Sequence, residues 1–497
     1  MSETMQDRIR LDSDAQRGRG VYPAFHALWP LAEMGVVTDL SSFRSDGWDR
    51  AAERAGSRRT RVALIDTSVA AEHPNLRGAI DTGRALDFFS ARFAVPADRA
   101  GLASALGSEM IPFPDDLPNG ARSQWDLLVA HLRSDVDPIV QPATAPSFSA
   151  HGTAMAGLIG ARPVAADQVA VSGTRIFDPV TGDMKEVTGA GSVSFAFAGV
   201  DPFCEIVPIS THFDPEPEQL ILAMLYAVLI KADVIVLARD FPSPRSLAPD
   251  AATTVDALGR ALGVGLSEEE LAQWDLLGAL TVAVSQRVPV ICAAGNGAQD
   301  TVLFPGNLAA DDNGIIAVGA RTAAGHAASY SPVSEAITVY APSGDGERLD
   351  HDLQRLDVQA AGFNPNDHGR AYLDGLGNFG DAAGTDANAR LHAPQDLVST
   401  DVPGRAGYNS SPNAQVFGVD GAILDYRSAY CRFSGTSGAV ALTAGLVSLG
   451  MSAGCIAPRG AGTGVAVKAA LTAGRKADHA AAQPAIHWST LRTGAIQ

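Results

Sequence analysis

Continuous apolar runs, rather than alternating ones, dominate the hydrophobic pattern of this chain. Val62-Ala63-Leu64-Ile65 ends at Asp66, and Val234-Ile235-Val236-Leu237 and Val288-Pro289-Val290-Ile291-Cys292 have the same character. A strand that is apolar at successive positions is covered on both faces. Glu205-Ile206-Val207-Pro208-Ile209 and Ile315-Ile316-Ala317-Val318 also read as strands, and helical segments lie between the runs, from Glu218 to Ile230 and from Ser267 to Gln286. The β-α-β period predicts an α/β fold, a mostly parallel sheet with helices on both faces. Further helices are expected at Gly47 to Ala52, ahead of the basic run Arg58-Arg59-Thr60-Arg61, at His151 to Gly157, and at Ser437 to Leu449.

Two segments break this pattern. Residues 80–148 and 343–393 are dense in Pro, Gly, Asp and Asn, as in Pro112-Phe113-Pro114-Asp115-Asp116, and are expected to be loop-rich excursions from one domain. The expected organisation is an extension over 1–46 and a single domain over 47–497 carrying both insertions.

Composition sharpens this only in part. At 497 residues and 46% hydrophobic, the chain can bury one large core or two ordinary ones. A net charge of −18 opposes attraction to phosphate backbones and anionic membrane faces, so neither nucleic acid nor membrane is an expected partner. Cys204, Cys292, Cys431 and Cys455 are too far apart for a short metal or redox motif, and buried free thiols are expected. The first twenty residues lack the apolar core of a signal peptide and no other window is long and uncharged enough to span a bilayer, so a cytoplasmic location is expected.

The candidate chemistry lies at the ends of the predicted elements. Taken singly, Asp66 reads as a turn or cap residue, His151 is ambiguous, and Ser437 reads as part of a helix N-terminus. Taken together, an acid after a buried strand, a histidine opening one helix and a serine opening another supply the parts for nucleophilic acyl transfer.

Three blocks carry a resemblance: Val62-Ala63-Leu64-Ile65-Asp66-Thr67, His151-Gly152-Thr153-Ala154-Met155-Ala156-Gly157 and Gly435-Thr436-Ser437-Gly438-Ala439. In text and in the order Asp, His, Ser they resemble the catalytic blocks of the subtilisin-like (subtilase) serine peptidases. Cys292-Ala293-Ala294-Gly295-Asn296-Gly297 is similar to the family segment whose Asn helps form the oxyanion hole, and weaker likenesses include His73-Pro74-Asn75-Leu76 and Val398-Ser399-Thr400-Asp401. The resemblance covers about 47–475. It implies a subtilisin-like fold, peptide hydrolysis with Asp66, His151 and Ser437 as the triad, Asn296 as an oxyanion donor, and a polypeptide substrate bound along Ala238, Arg239, Asp240, Ala293, Ala294 and Gly295.

The chain departs from the family at four places. Ala238-Arg239-Asp240-Phe241 stands where the family usually reads Ser-Leu-Gly-Gly; Asp240 selects a basic substrate side chain, or Arg239 and Asp240 are solvated or paired locally. Ser68 replaces a common Gly, which would strain the Asp66 loop if its φ were positive, and Ala441 replaces a usual Pro. The segment ahead of the domain is short for an inhibitory pro-domain, which leaves control to expression, a regulatory protein partner or the insertions, with the last twenty or so residues another candidate to cover the site. No cofactor is required; calcium is compatible with the family and the acidic excursions, but no segment matches a specific calcium motif. The competing readings are a catalytically silent or partner-gated scaffold with the same fold, and an esterase or transacylase sharing the acyl-enzyme.

Overall fold

A computed structural model describes residues 24–38, 44–133, 150–163, 174–177, 184–187, 197–241, 268–344, 397–402, 407–408, 430–473 and 483–493, less a few positions inside these ranges. The strands are β1 Arg61–Asp66, β2 Leu86–Asp87, β3 Val95–Pro96, β4 Thr174–Phe177, β5 Met184–Val187, β6 Glu205–Ser210, β7 Val234–Leu237, β8 Val290–Ala293, β9 Ile315–Arg321, β10 Val339–Pro342, β11 Leu397–Thr400 and β12 Tyr430–Phe433. The helices are α1 Ala24–Glu33, α2 Asp46–Glu53, α3 Arg99–Leu106, α4 Arg122–Leu132, α5 Ala150–Gly160, α6 Pro217–Leu229, α7 Glu268–Ser285, α8 Gly435–Ser452, α9 Thr463–Thr472 and α10 Trp488–Thr493.

The main sheet has eight strands in the order β10-β9-β8-β7-β1-β6-β2-β3. Its pairs are parallel except the short β2–β3 edge. Alternation along each strand explains the continuous apolar runs. Val62 and Leu64 of β1 join one core with α5 and α8, whereas Ala63 and Ile65 join a second core with α6 and α7 on the opposite face. Val234 and Val236 against Ile235 and Leu237 divide β7 in the same way.

Helix α8 is the axis of the first core, and most of its eighteen residues are buried. It is also long and apolar enough to cross a membrane by length and composition, against the expectation that no window is; its place at the centre of the core accounts for that composition. The four cysteines are free and buried, as expected.

Three differences from the sequence reading have physical causes. Within 80–148, the helices α3 and α4 form where loops were expected, and Trp125, Leu128 and Leu132, spaced along one helical face, bury into the second core. Leu28, Trp29, Leu31 and Met34 are fully buried in the first core, so the packed unit extends upstream of the boundary expected at 46/47. The last described segment does not cover the candidate site: Trp488 donates from its backbone to Met34 O (2.8 Å) and from its indole to Asp46 (3.2 Å), and Leu491 packs at Gly450 near the far end of α8. Most of the 343–393 excursion lies outside the described residues.

Candidate active site

Strands β1, β7 and β8 end on one edge of the sheet, where a parallel sheet places its functional loops. Asp66 closes β1 and is fully buried. Its Oδ1 accepts from the Thr67 backbone N–H at 2.6 Å and pairs with Nδ1 of His151, the second residue of α5, at 2.7 Å. Asp66 Oδ2 is buried with no hydrogen-bond partner among the described residues. Burial works against ionisation here, but the His151 charge and hydrogen bond, the Arg239 guanidinium and the Thr67 N–H outweigh it and lower the Asp66 carboxyl below its ordinary value.

The start of α5 must come very close to the β1 loop for this contact. Gly152 N–H donates to Thr67 Oγ1 at 2.9 Å, and a Cβ on Gly152 would stand 2.3 Å from the Thr67 carbonyl oxygen. This explains the glycine after the histidine. Gly152→Ala is expected to destabilise the protein by about 1–3 kcal/mol through overpacking, which urea unfolding would measure. From the other side, Ser399 Oγ and Thr400 Oγ1 of β11 donate to the Ala154 and Thr153 carbonyls at 2.6 and 2.7 Å, fixing β11 against the histidine helix.

Ser437 lies in the first turn of α8, which packs against α5, and is 6% exposed. Its hydroxyl donates to the carbonyl of Ala238, just beyond β7, at 3.2 Å. The turn before it is tied at several points. Gly435 has φ +81°, a left-handed conformation that favours glycine. Its N–H donates to the Tyr330 hydroxyl at 3.0 Å, and its carbonyl accepts from Ser343 Oγ at 2.9 Å. The Tyr330 hydroxyl lies 2.5 Å from the Gly344 carbonyl. Phe433, at the end of β12, meets the His151 ring edge to face with centroids 5.4 Å apart. Sequence reasoning missed Tyr330, Ser343 and Phe433; only Phe433, an aromatic immediately before the small-residue serine block, leaves a local signal.

Asn296 is exposed, while its Oδ1 accepts from the Thr436 backbone N–H at 2.8 Å and the Thr436 hydroxyl at 3.0 Å. With the oxygen held in that way, the amide Nδ2 is left as a donor beside the serine turn. Gly295, at φ +118°, accepts from Thr436 Oγ1 at 3.3 Å, which ties the same loop to the same turn.

The remaining candidate residues divide. Ala238 reaches Ser437 through its carbonyl. Arg239 is neither solvated nor in an open pocket: at 8% exposure it is buried and acts electrostatically on Asp66. Asp240 is half-buried, and burial raises its carboxyl despite its own backbone N–H and Arg239. Ala293 and Ala294 are fully buried, Ala294 among Val302, Ala317, Ile337 and Tyr340, so the open face of this segment begins at Asn296. Phe241 is tucked against Trp274 and bridges to Phe304. Ser68 is not among the positive-φ residues, so the Asp66 loop carries no such strain, and Ala441 continues α8 without interruption. Among the described residues no group of three or more His, Cys, Asp or Glu is disposed to hold a metal ion.

A search of curated proteins finds no match. Among solved structures, the chain is similar to a lanthipeptide protease at 14% identity, covering 96% of each chain, with a TM-score of 0.48. It is similar to the nisin leader peptidase NisP from Lactococcus lactis at 14% identity, covering 94% of this chain and 95% of that one, with a TM-score of 0.45. A protease from Pseudoalteromonas arctica matches at 16% identity over 90% of this chain and 92% of its own, with a TM-score of 0.43. Likenesses this distant say nothing of this chain's substrate. The sequence profile of the subtilase family matches residues 57–478, from the approach to β1 to just beyond α9. With that match over most of its length, on an α/β fold with a mostly parallel sheet, the chain belongs to the subtilase family and is a subtilisin-like serine peptidase.

Proposed function

We propose that this peptidase cleaves internal peptide bonds of polypeptides through an acyl-enzyme on Ser437, with His151 as general base and acid, Asp66 as its orienting carboxylate and Asn296 as an oxyanion donor. The observation that carries this reading is the 2.7 Å bond between the buried Asp66 carboxylate and His151 Nδ1, formed on a helix that packs against α8, whose first turn holds Ser437. A carboxylate on Nδ1 holds the proton there and leaves Nε2 basic.

In the first step Ser437 Oγ bonds to the substrate carbonyl carbon as its proton passes to His151 Nε2. The C–N bond then breaks, and the same proton goes to the leaving amine. Water repeats the sequence on the ester and releases the acid. The resting Ser437 hydroxyl faces Ala238, so it must rotate to His151; the weak bond given up is worth about 0.5–1.5 kcal/mol, small against the barrier that is lowered.

Negative charge on the carbonyl oxygen is met by Asn296 Nδ2 and the Ser437 backbone N–H at the positive end of α8. Asn296→Ala is expected to lower kcat by about 10²–10³-fold with KM little changed, because the donor is aimed at charge that exists only in the transition state.

The activity is tested by incubating the purified protein with a defined peptide mixture and sequencing the products by mass spectrometry. New amino and carboxyl termini at internal bonds support endopeptidase action. Acyl transfer to added nucleophiles without hydrolysis would contradict it.

A further inference from the structure

The chain that leaves β7 passes directly under the nucleophile. Val234, Val236 and, just past the strand, Ala238 lie in the core shared with α5 and α8, whereas Ile235, Leu237 and Phe241 lie in the core on the other face. The alternation is still in step at Phe241, and it places Asp240 with Ala238, on the side of α8. Asp240 is also where that side opens. Val234, Val236 and Ala238 are buried, and Asp240 is half-buried.

The segment is held at both of its ends. The Ala238 carbonyl accepts the Ser437 hydroxyl at 3.2 Å, and the Phe241 N–H donates to the Phe304 carbonyl at 2.9 Å. The Phe241 ring lies against Trp274, with centroids 6.1 Å apart. A substrate carbonyl attacked by Ser437 therefore stands beside Ala238. Two residues of extended chain, about 7 Å, separate that point from Asp240, a span suited to a long side chain rather than a short one.

The electrostatics give this position a sign. Two groups favour the ionised Asp240 carboxylate, its own backbone N–H and the Arg239 guanidinium, and burial outweighs both, so the carboxyl is raised. Arg239 also acts on the buried Asp66, so one guanidinium is shared between two carboxylates. A cation carried in by the substrate offsets the desolvation of Asp240. An apolar side chain in the same place would take more water from the carboxylate and return nothing. The chain's net charge of −18 favours approach of the same kind of substrate.

We propose that Asp240 determines specificity by selecting Lys or Arg at the substrate residue whose carbonyl Ser437 attacks, so that the substrates are basic polypeptide segments. The inference depends on Ser437 being the nucleophile, as set out above.

The test compares kcat/KM of the full chain on four peptides that differ only at that residue, Lys, Arg, Met or Gln, with the cleaved bond mapped by mass spectrometry. Lys and Arg are expected to exceed Met and Gln by at least about tenfold, the discrimination of one charge-assisted hydrogen bond. In Asp240→Asn, which keeps the size and shape of the side chain, the ratio should collapse toward unity. A ratio measured within one preparation is not moved by partial loss of folded protein. Glu53→Gln removes an exposed charge on α2, the helix that meets α8 at Leu449, far from Ser437. It should keep the wild-type ratio, which separates a local contact from the general attraction of an acidic chain. Equal rates on all four peptides, or a Lys and Arg preference that Asp240→Asn retains, overturns the proposal and leaves the acyl-enzyme on Ser437 standing. Cleavage of none of the four, or cleavage that survives Ser437→Ala, contradicts the acyl-enzyme reading and this inference with it.

Discussion

Replacing Ser437 by alanine is expected to lower kcat for peptide hydrolysis by on the order of 10⁴-fold or more and to leave the fold intact. The loss is large because the covalent route disappears altogether, and only binding and the oxyanion donors remain to act on attack by water. The fold survives because the serine hydroxyl makes one modest bond, 3.2 Å to the Ala238 carbonyl. Losing it costs about 0.5–1.5 kcal/mol, within reach of a stable core. Steady-state kinetics and thermal unfolding on the same preparation separate the two effects. A variant that kept more than a few per cent of wild-type kcat would place the nucleophile elsewhere.

Asp66→Asn is expected to lower kcat by about 10²–10⁴-fold, the range of a general base that loses its support, with little change in KM. The local hydrogen bonds narrow the cause. The oxygen that meets His151 also accepts the Thr67 N–H at 2.6 Å, so an asparagine must keep its oxygen in that place and put its amide nitrogen where Oδ2 stands, without an acceptor. The histidine tautomer is then retained and the missing quantity is the negative charge that stabilises the imidazolium. The same variant should alter the pH dependence of stability. The Asp66 carboxyl is lowered in the folded protein, so its contribution is present above the ordinary carboxylate value and is lost as pH falls through the lowered one. The stability gap between wild type and Asp66→Asn should therefore narrow on acidification, as thermal unfolding across the acid range would show. A gap independent of pH would mean that the carboxylate is not held ionised by His151 and Arg239.

Much of this was legible because it is written locally. The strands β1, β6, β7, β8 and β9 announce themselves as apolar runs, since a strand covered on both faces has no polar side to interrupt it. Asp66, His151 and Ser437 stood out because each falls where an apolar or small-residue run begins or ends. The two-residue strands β2 and β3 carry no period to detect. Helices α3 and α4 were hidden by the proline and aspartate clusters around them, although Trp125, Leu128 and Leu132 already mark one face of α4. Contacts between distant segments were not legible at all. The Tyr330 hydroxyl reaches Gly435 across 105 positions, and Arg239 comes to act on Asp66 only because β7 lies beside β1. Likewise, Trp488 and Met34 meet only after α8 has brought both ends of the described chain to one place.

Hydrolysis through an acyl-enzyme requires Ser437 to be an activated nucleophile, and active-site labelling with a fluorophosphonate tests that most directly. Intact-mass spectrometry of the folded wild-type protein should show a single adduct, mapping to Ser437 by peptide sequencing and absent from Ser437→Ala. Folded wild-type protein that takes up no adduct, or takes it up equally in the alanine variant, would contradict the proposed mechanism.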